Sequence, residues 1–379
     1  MNIPSHHQMN FFDALQQRSQ IDIQVRYYDK IPQTRKKLGW NEIDDLPEYQ
    51  YSVNGYKVNQ ALDTLPDWLE SIHIIPGFSH PFLKELLSVL IKKKVKWIHW
   101  SERSGKPFTK LLNYNYAIVN LLLPLYHNLK GYRKYAFKIN KYALGAFAIS
   151  SLGRADFMKW GVNDKKIKIL NYSLSPLAKE GKIDISLITE EKDEKFFIYI
   201  GSLTKHKGIE ELIKAYAALK RRKGWMLILV GNDHSKGAYK KLVDRLGLKN
   251  KILFTGAVNI NSINGYLNSS DVFVLPTLFD GWGAVLNEAA SLKKPLISTD
   301  QCGAAYHLIK DNKNGFMVKA KSVIELQLAM QFYIDNPTFI KVHGKESFNI
   351  FKNCTPELNA QLFEESMNEF ASRIKSNIA

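Results

Sequence analysis

The sequence predicts an α/β protein of two domains, each a parallel sheet with helices on its faces. Three observations predict it. The chain has 379 residues, more than a single core usually serves. Short apolar runs alternate with amphipathic ones, and the order strand, helix, strand is what right-handed parallel crossovers require. Most of the strand-like runs end in glycine-rich or polar turns, where open sheets of this kind hold ligands.

In chain order, Met1 to Gln8 reads as a loop, Met9 to Gln17 as a helix from its apolar spacing, and Ile21 to Tyr27 as an alternating strand. No strand precedes the first loop, although a domain of this class opens on one. The expectation is a missing first strand and a chain started late. Ile72 to Pro76 and Val95 to Trp100 read as buried strands around a helix at Pro81 to Lys94. Lys110 to Lys141 is helical in pattern, broken at Pro124 and near Gly131, and Ala146 to Ser150 is a strand before a helix at Arg154 to Trp160. Asn171 to Lys192 lacks periodicity and marks the approach to the second domain, so the boundaries expected are 1–175 and 176–355, with a helix at about 356–379 returning to the first domain.

The second domain has the clearer alternation. Strands are expected at Phe196 to Ile200, Trp225 to Val230, Ile252 to Phe254, Val272 to Leu275 and Pro295 to Ser298. Helices fall at Gly208 to Arg221, Tyr239 to Leu246, Ile260 to Ser269, after Gly283, and at Ser322 to Tyr333. No repeat of 20 to 50 residues is present, which excludes solenoids and propellers.

Composition narrows the function. No run approaches the roughly 18 apolar residues of a membrane span, the first residues are too polar for a secretory signal, and Cys302 and Cys354 form neither a disulfide framework nor a metal spacing. A cytoplasmic setting is expected. The net charge of +17 is concentrated between Pro81 and Lys141, where thirteen Lys or Arg face two acids, Glu85 and Glu102. Ten aromatics are interleaved there, among them Trp97, Trp100, Tyr114, Tyr132, Tyr135 and Phe137. Basic and aromatic side chains together suit an anionic membrane surface; a solvated face and a nucleic-acid site are the alternatives. No recognised nucleic-acid motif supports the last, so no nucleic acid is expected.

Two stretches carry the chemistry. Gly201-Ser202-Leu203-Thr204-Lys205-His206-Lys207-Gly208 joins a strand to a helix and suits a phosphate, because glycines let the backbone approach and Lys207 supplies charge. It lacks the Gly-Lys-Ser/Thr of a Walker turn, and solvated loop lysines are the plainer reading. Phe279-Asp280-Gly281-Trp282-Gly283-Ala284-Val285-Leu286-Asn287-Glu288 puts two carboxylates eight residues apart across a helix start. A helix beginning near Gly283 would carry Glu288 one to two turns inside it and offer free N–H groups to an anion.

These stretches, with Val230-Gly231, Phe254-Thr255-Gly256-Ala257-Val258 and Ser270-Asp271-Val272-Phe273-Val274-Leu275-Pro276 in the same order and spacing, resemble the nucleotide-sugar-binding half of a GT-B glycosyltransferase of retaining family 4. The resemblance covers about Phe196 to Lys319. It implies two Rossmann-like α/β/α domains facing across a cleft, and a metal-independent hexosyl transfer from a UDP- or GDP-linked sugar with no cofactor. It also implies that Lys207 clamps the donor diphosphate, Glu288 accepts from the ribose hydroxyls, Asp280 reads the donor sugar, backbone N–H groups from Gly281 to Ala284 hold phosphate, and the backbone at Val258 meets the base. Two departures stand out. Asp280 replaces the commoner Glu, and Ser202 stands where the family has an arginine, leaving Lys205, His206 or Arg103 as substitute cations.

On the acceptor side, His99 and Glu102 in Trp97-Ile98-His99-Trp100-Ser101-Glu102-Arg103 are the candidates at a strand end, although a histidine between two tryptophans also fits a packed core. A glycan or glycolipid acceptor is expected at the inner membrane face, as in bacterial lipopolysaccharide, O-antigen or capsule assembly. A nucleotide-sugar epimerase of the same fold and a basic nucleic-acid-binding protein are the rivals.

Overall fold

The computed structural model describes residues 2–18, 21–37, 46–103, 129–177, 194–222 and 224–376. They form two compact units. The first comprises Met1–Pro32, Asn41–Ser173 and Pro356–Ala379, and the second Gln33–Trp40 and Leu174–Thr355.

In the first unit, β3 (His73–Ile75), β4 (Trp97–Ser101), β5 (Gly145–Ala148) and β6 (Ile167–Ile169) form one parallel sheet in that order. β4 and β5 are buried almost throughout, as the continuous apolar run of a sheet covered on both faces requires. The helix Pro81–Lys92 opens with Pro at its start and buries Leu83, Leu87 and Leu90, four and three residues apart. The final helix, Pro356–Ser376, belongs to this unit. Its buried Phe363 and Phe370 lie 5.3 and 5.5 Å from the Phe147 ring of β5.

The strand expected over Ile21 to Tyr27 is regular only at β1 (Val25–Tyr27). β1 pairs in parallel with β2 (Gln50–Ser52), a strand the sequence hides because Gln-Tyr-Ser carries no apolar alternation. Together they form a separate two-stranded sheet. The bulk of the helical pattern expected from Lys110 to Lys141 lies outside the described residues; within it, Phe137–Tyr142 is a helix that follows a π turn at Tyr132–Ala136.

The second unit is a six-stranded parallel sheet. Its strands are β7 (Lys195–Ile200), β8 (Trp225–Val230), β9 (Ile252–Gly256), β10 (Val272–Leu275), β11 (Leu296–Thr299) and β12 (Gly315–Val318), in the order β12-β11-β10-β7-β8-β9. The chain runs outward from β7 to β9, then crosses to the other side of β7 and runs outward from β10 to β12. The reversal lies between β7 and β10, and a crevice opens at the carboxyl ends of two strands where such a reversal occurs. β12 and the helix Thr338–Phe351 escape the sequence pattern, since β12 opens on a glycine and, among the described residues, has β11 as its one neighbouring strand, while the helix holds an interior glycine, Gly344.

Candidate functional site

The lysine turn follows β7 and the acid motif follows β10, so the two stretches flank the reversal point. Lys205–Lys207 forms a single 3-10 turn capped by Gly208, which has φ 72°. A Cβ at Gly208 would stand 1.9 Å from the Pro276 carbonyl oxygen, so only glycine lets the lysine turn lie against the end of β10. The next turn is tied across as well. The Leu278 N–H donates to the His206 carbonyl at 2.8 Å and the Thr277 hydroxyl to the same oxygen at 3.1 Å.

This lacing brings Lys207 to Asp280. Its ammonium lies 2.5 Å from Asp280 Oδ2, with both side chains largely shielded. Asp280 is itself fixed through its backbone, whose N–H donates to Gln301 O at 3.0 Å beyond the end of β11. Lys205, His206 and Ser202 are exposed. The His206 imidazole is held below its ordinary pKa by partial burial and by the Lys207 charge, and so is neutral near pH 7.

The helix carrying Glu288 starts later than the sequence suggests. It spans Val285–Ser291, with Ala284 as its cap, so Glu288 sits in the first turn. Gly281, Trp282, Gly283 and Glu288 are buried and Ala284 is half-buried. Gly283 has φ 95°, and a Cβ there would meet Cys302 Sγ at 2.6 Å. Val258, expected near a nucleobase, is half-buried in the loop after β9.

Trp282, already within the motif, is braced by two residues, Asn287 and Cys302, whose role is not evident in the sequence. Trp282 is 1% exposed and its indole N–H donates to Asn287 Oδ1 at 2.9 Å. The Cys302 thiol donates to the Trp282 carbonyl at 2.9 Å, and burial pushes that thiol up to about 12, so it stays protonated and serves as a brace. No spacing signal marks Cys302, because it comes from the loop after β11, about twenty residues downstream.

The acceptor candidates fare differently. His99 is wholly buried among Phe78, Phe157 and Tyr135, with ring centroids at 4.6, 5.3 and 5.8 Å. Burial lowers its pKa to about 3. The expectation of a strand-end histidine at an acceptor hydroxyl is therefore corrected: β4 continues past His99 to Ser101, whose hydroxyl lies 2.9 Å from the imidazole, and the side chain packs the core. Glu102 is half-buried beside Tyr172, whose hydroxyl it holds protonated together with burial. Arg103 pairs with Asp156 at 3.2 Å within the first unit, which accounts for it without a phosphate. Trp97 and Trp100, counted among the membrane-facing aromatics, are buried; Tyr114 lies outside the described residues, while Tyr132 and Phe137 are exposed.

Residues 184–347 match the family model for glycosyl transferases group 1. The matched stretch, which is similar to group 1 glycosyl transferases, contains the lysine turn and the acid motif entire. Two uncharacterized glycosyltransferases of Methanocaldococcus jannaschii are each 29% identical to the chain, one over 42% of both proteins and the other over 73% of this chain and 68% of its own length. The match to the first thus spans under half of that relative. Among solved structures, HepE of Anabaena in complex with UDP is similar with a TM-score of 0.72 at 16% identity, over 97% of this chain and 98% of that one. The apo lipopolysaccharide outer core galactosyltransferase WaaB gives 0.68 at 15%, over 97% and 96%. At such identities the likeness concerns the fold, which is α/β of the GT-B type.

Proposed function

We propose that the protein transfers a hexosyl group from a UDP- or GDP-linked donor to a glycan carried on a lipid, with retention of configuration and without a metal. The observation that carries the reading is the Lys207–Asp280 pair at the reversal point of the second unit, beside the first turn that holds Glu288. A diphosphate arriving there meets a cation already positioned, and charge that develops on the leaving phosphate is met by Lys207 and by N–H groups at the helix start. Asp280, released from Lys207 by the incoming phosphate, accepts from donor-sugar hydroxyls, and Glu288 accepts from the ribose. The bond from the anomeric carbon to phosphate oxygen breaks as the acceptor oxygen bonds the same carbon on the same face, and the acceptor proton passes to the departing phosphate. The protein supplies no nucleophile on this route.

UDP is favoured as the carrier because the HepE structure is a UDP complex. A lipid-linked glycan is favoured by the similarity to a lipopolysaccharide galactosyltransferase and by the basic, aromatic helix surface of residues 129–142. The test is nucleotide release from a panel of UDP- and GDP-sugars in the presence of EDTA, with Lys207→Ala beside the parent. Turnover of one donor, retained in EDTA and reduced about 100-fold or more in kcat/KM in the variant, is expected, which is the scale for removing one donor to a developing anion. Unchanged turnover in Lys207→Ala refutes the site.

A further inference from the structure

A pocket of about 410 Å³ opens in the first unit, with Tyr28, Gly77, Ser79 and His80 in its lining, and its size is that of a small-ligand site. β1 ends at Tyr27 and β3 at Ile75, so Tyr28 and Asp29 follow one strand directly and Pro76 and Gly77 the other. The carboxyl ends of parallel strands are where open sheets hold ligands. Gly77 has φ 96°, and a Cβ there would meet nothing within 4 Å. The positive φ selects glycine, and the open space leaves its backbone within reach of a bound molecule.

Fixed polar groups stand among apolar surface here. The Tyr28 ring lies 4.6 Å from the His80 imidazole and 6.0 Å from the Phe82 ring. His80 Nε2 lies 3.5 Å from Asp29 Oδ1, and the Asp29 N–H donates to the Asn2 carbonyl at 2.9 Å, which anchors the carboxylate at its backbone. His80 Nδ1 is buried without a partner among the described residues, so the Asp29 contact is what orients the ring. A carboxylate has about four acceptor sites and this contact uses one. The Asp29 side chain is 43% exposed, which keeps the others in reach of a ligand. The Lys134 ammonium donates to Ser79 Oγ at 2.9 Å with one of its hydrogens. Burial, and then the Asp29 charge, push the Tyr28 hydroxyl up to about 12, so it keeps its proton at pH 7 and both donates and accepts.

This mixture selects among ligand classes. A phosphate dianion brings acceptors alone and is repelled by Asp29, while an acyl chain leaves Asp29 and Lys134 without partners. A pyranose satisfies both kinds of surface. Its hydroxyls donate to a carboxylate and accept from an ammonium or a phenol, and its C–H faces lie against rings such as Tyr28 and Pro76. We infer that Tyr28, Asp29, Gly77 and His80 form a subsite for one neutral pyranose, with Asp29 accepting from a sugar hydroxyl and Tyr28 and Lys134 donating to others. That the pyranose belongs to the glycan acceptor rests on the transferase reading above; that the subsite binds a pyranose does not. His99, packed in the core within β4, takes no part.

The test is saturation-transfer NMR on the full chain, without nucleotide, using the methyl α- and β-glycosides of glucose, galactose and mannose and of their N-acetylated amino forms. At least one glycoside is expected to bind the parent, and Asp29→Asn is expected to weaken it about tenfold or more, the scale of a hydrogen bond to a charged group. Inorganic phosphate should not displace it. A panel in which no glycoside binds overturns the proposal, and so does equal binding by the parent and folded Asp29→Asn. Displacement by phosphate also overturns it, since the pocket is then an anion site. Should Asp29→Asn fail to fold, Ser79→Leu decides in its place, because Ser79 is exposed and the larger side chain fills the pocket from its rim. Lys207→Ala separates this inference from the transferase reading. Glycoside binding kept in that variant supports the subsite whatever becomes of turnover, and binding lost there assigns the sugar to the donor site and overturns the subsite.

Discussion

Asp280 is where the residue scale matters most, because one methylene separates it from the glutamate of the family it resembles. In the structure its short side chain meets Lys207 Nζ at 2.5 Å, and its backbone is fixed by Gln301 O, so it has little freedom to extend. Asp280→Glu is expected to change the ratio of kcat/KM between competing donor sugars about tenfold or more, while the affinity for the free nucleoside diphosphate stays within about threefold, as a change confined to sugar contacts implies. A competition assay against two sugars on one nucleotide reads the first quantity and calorimetry the second; a parallel loss of both means Asp280 contacts the diphosphate. His99 gives a prediction of another kind. Its folded pKa of about 3 lies below the usual 6.5, so between those values the unfolded chain holds a proton that the folded chain does not, and stability falls as pH falls. From pH 7 to pH 5 this one group removes about 2 kcal/mol at roughly 1.4 kcal/mol per unit. His73 and His307, also lowered chiefly by burial, act in the same sense. His99→Phe is therefore expected to shrink the pH slope of urea stability by about one proton without abolishing it, and an unaltered slope would mean His99 is not the buried neutral group described.

At the scale of elements, the strands of the second unit other than β12 were legible, as Phe197, Ile198, Leu227, Val274 and Ile297 in unbroken apolar runs bounded by turn residues show. The lysine turn and acid motif were legible as a pair for the same reason: each follows such a run directly. The brace of Cys302 and Asn287 on Trp282 was not, since it joins residues by loop geometry and leaves no period in the sequence. His99 was misplaced because burial depends on which helices cover a strand, and nothing in Trp-Ile-His-Trp-Ser says where the strand stops being covered. The aromatic and basic segment divides in the same way. Trp97 and Trp100 pack inward, whereas Leu129, Tyr132, Phe137 and Tyr142 are 59, 46, 44 and 39% exposed beside Lys130, Arg133 and Lys141. Leu129, Arg133, Phe137 and Lys141 recur every four residues, which brings apolar and cationic side chains onto neighbouring parts of one helical surface. Reversing Lys130, Arg133 and Lys141 to Glu is expected to weaken sedimentation with anionic vesicles at least tenfold at low salt, since each cation near such a surface contributes about 1 kcal/mol. Neutral vesicles should bind neither protein strongly. Equal sedimentation of parent and variant with anionic vesicles removes this surface from the account.

For the whole molecule, the two units differ in how much of their architecture follows from sequence alone. The second has one sheet with a reversal point in the middle, and such a reversal is where open sheets of this kind hold ligands, so fold and proposed site are a single inference. The first has its strands in two sheets, β1 with β2 and β3 to β6, and its order cannot be read from periodicity because Gln-Tyr-Ser of β2 carries no apolar alternation. This difference has a measurable consequence. A nucleoside diphosphate that binds the folded second unit and not the unfolded chain stabilises it by about 2.7 kcal/mol at a hundred times its dissociation constant. For a unit of this size that raises its melting midpoint by roughly 5 to 10 °C. Amide exchange should slow in the lysine turn and over residues 281–291 and stay unchanged at β3 and β4, which carry no part of the proposed donor site. Glu288→Gln, which keeps the shape and removes the charge that accepts from the ribose, should lower the midpoint shift at equal UDP while leaving the ligand-free midpoint within about 2 °C, the expected range for a change without new cavity or strain. Equal stabilisation of the parent and Glu288→Gln by UDP would show that Glu288 faces away from the nucleotide, and the second unit would then hold its donor by Lys207 and backbone alone.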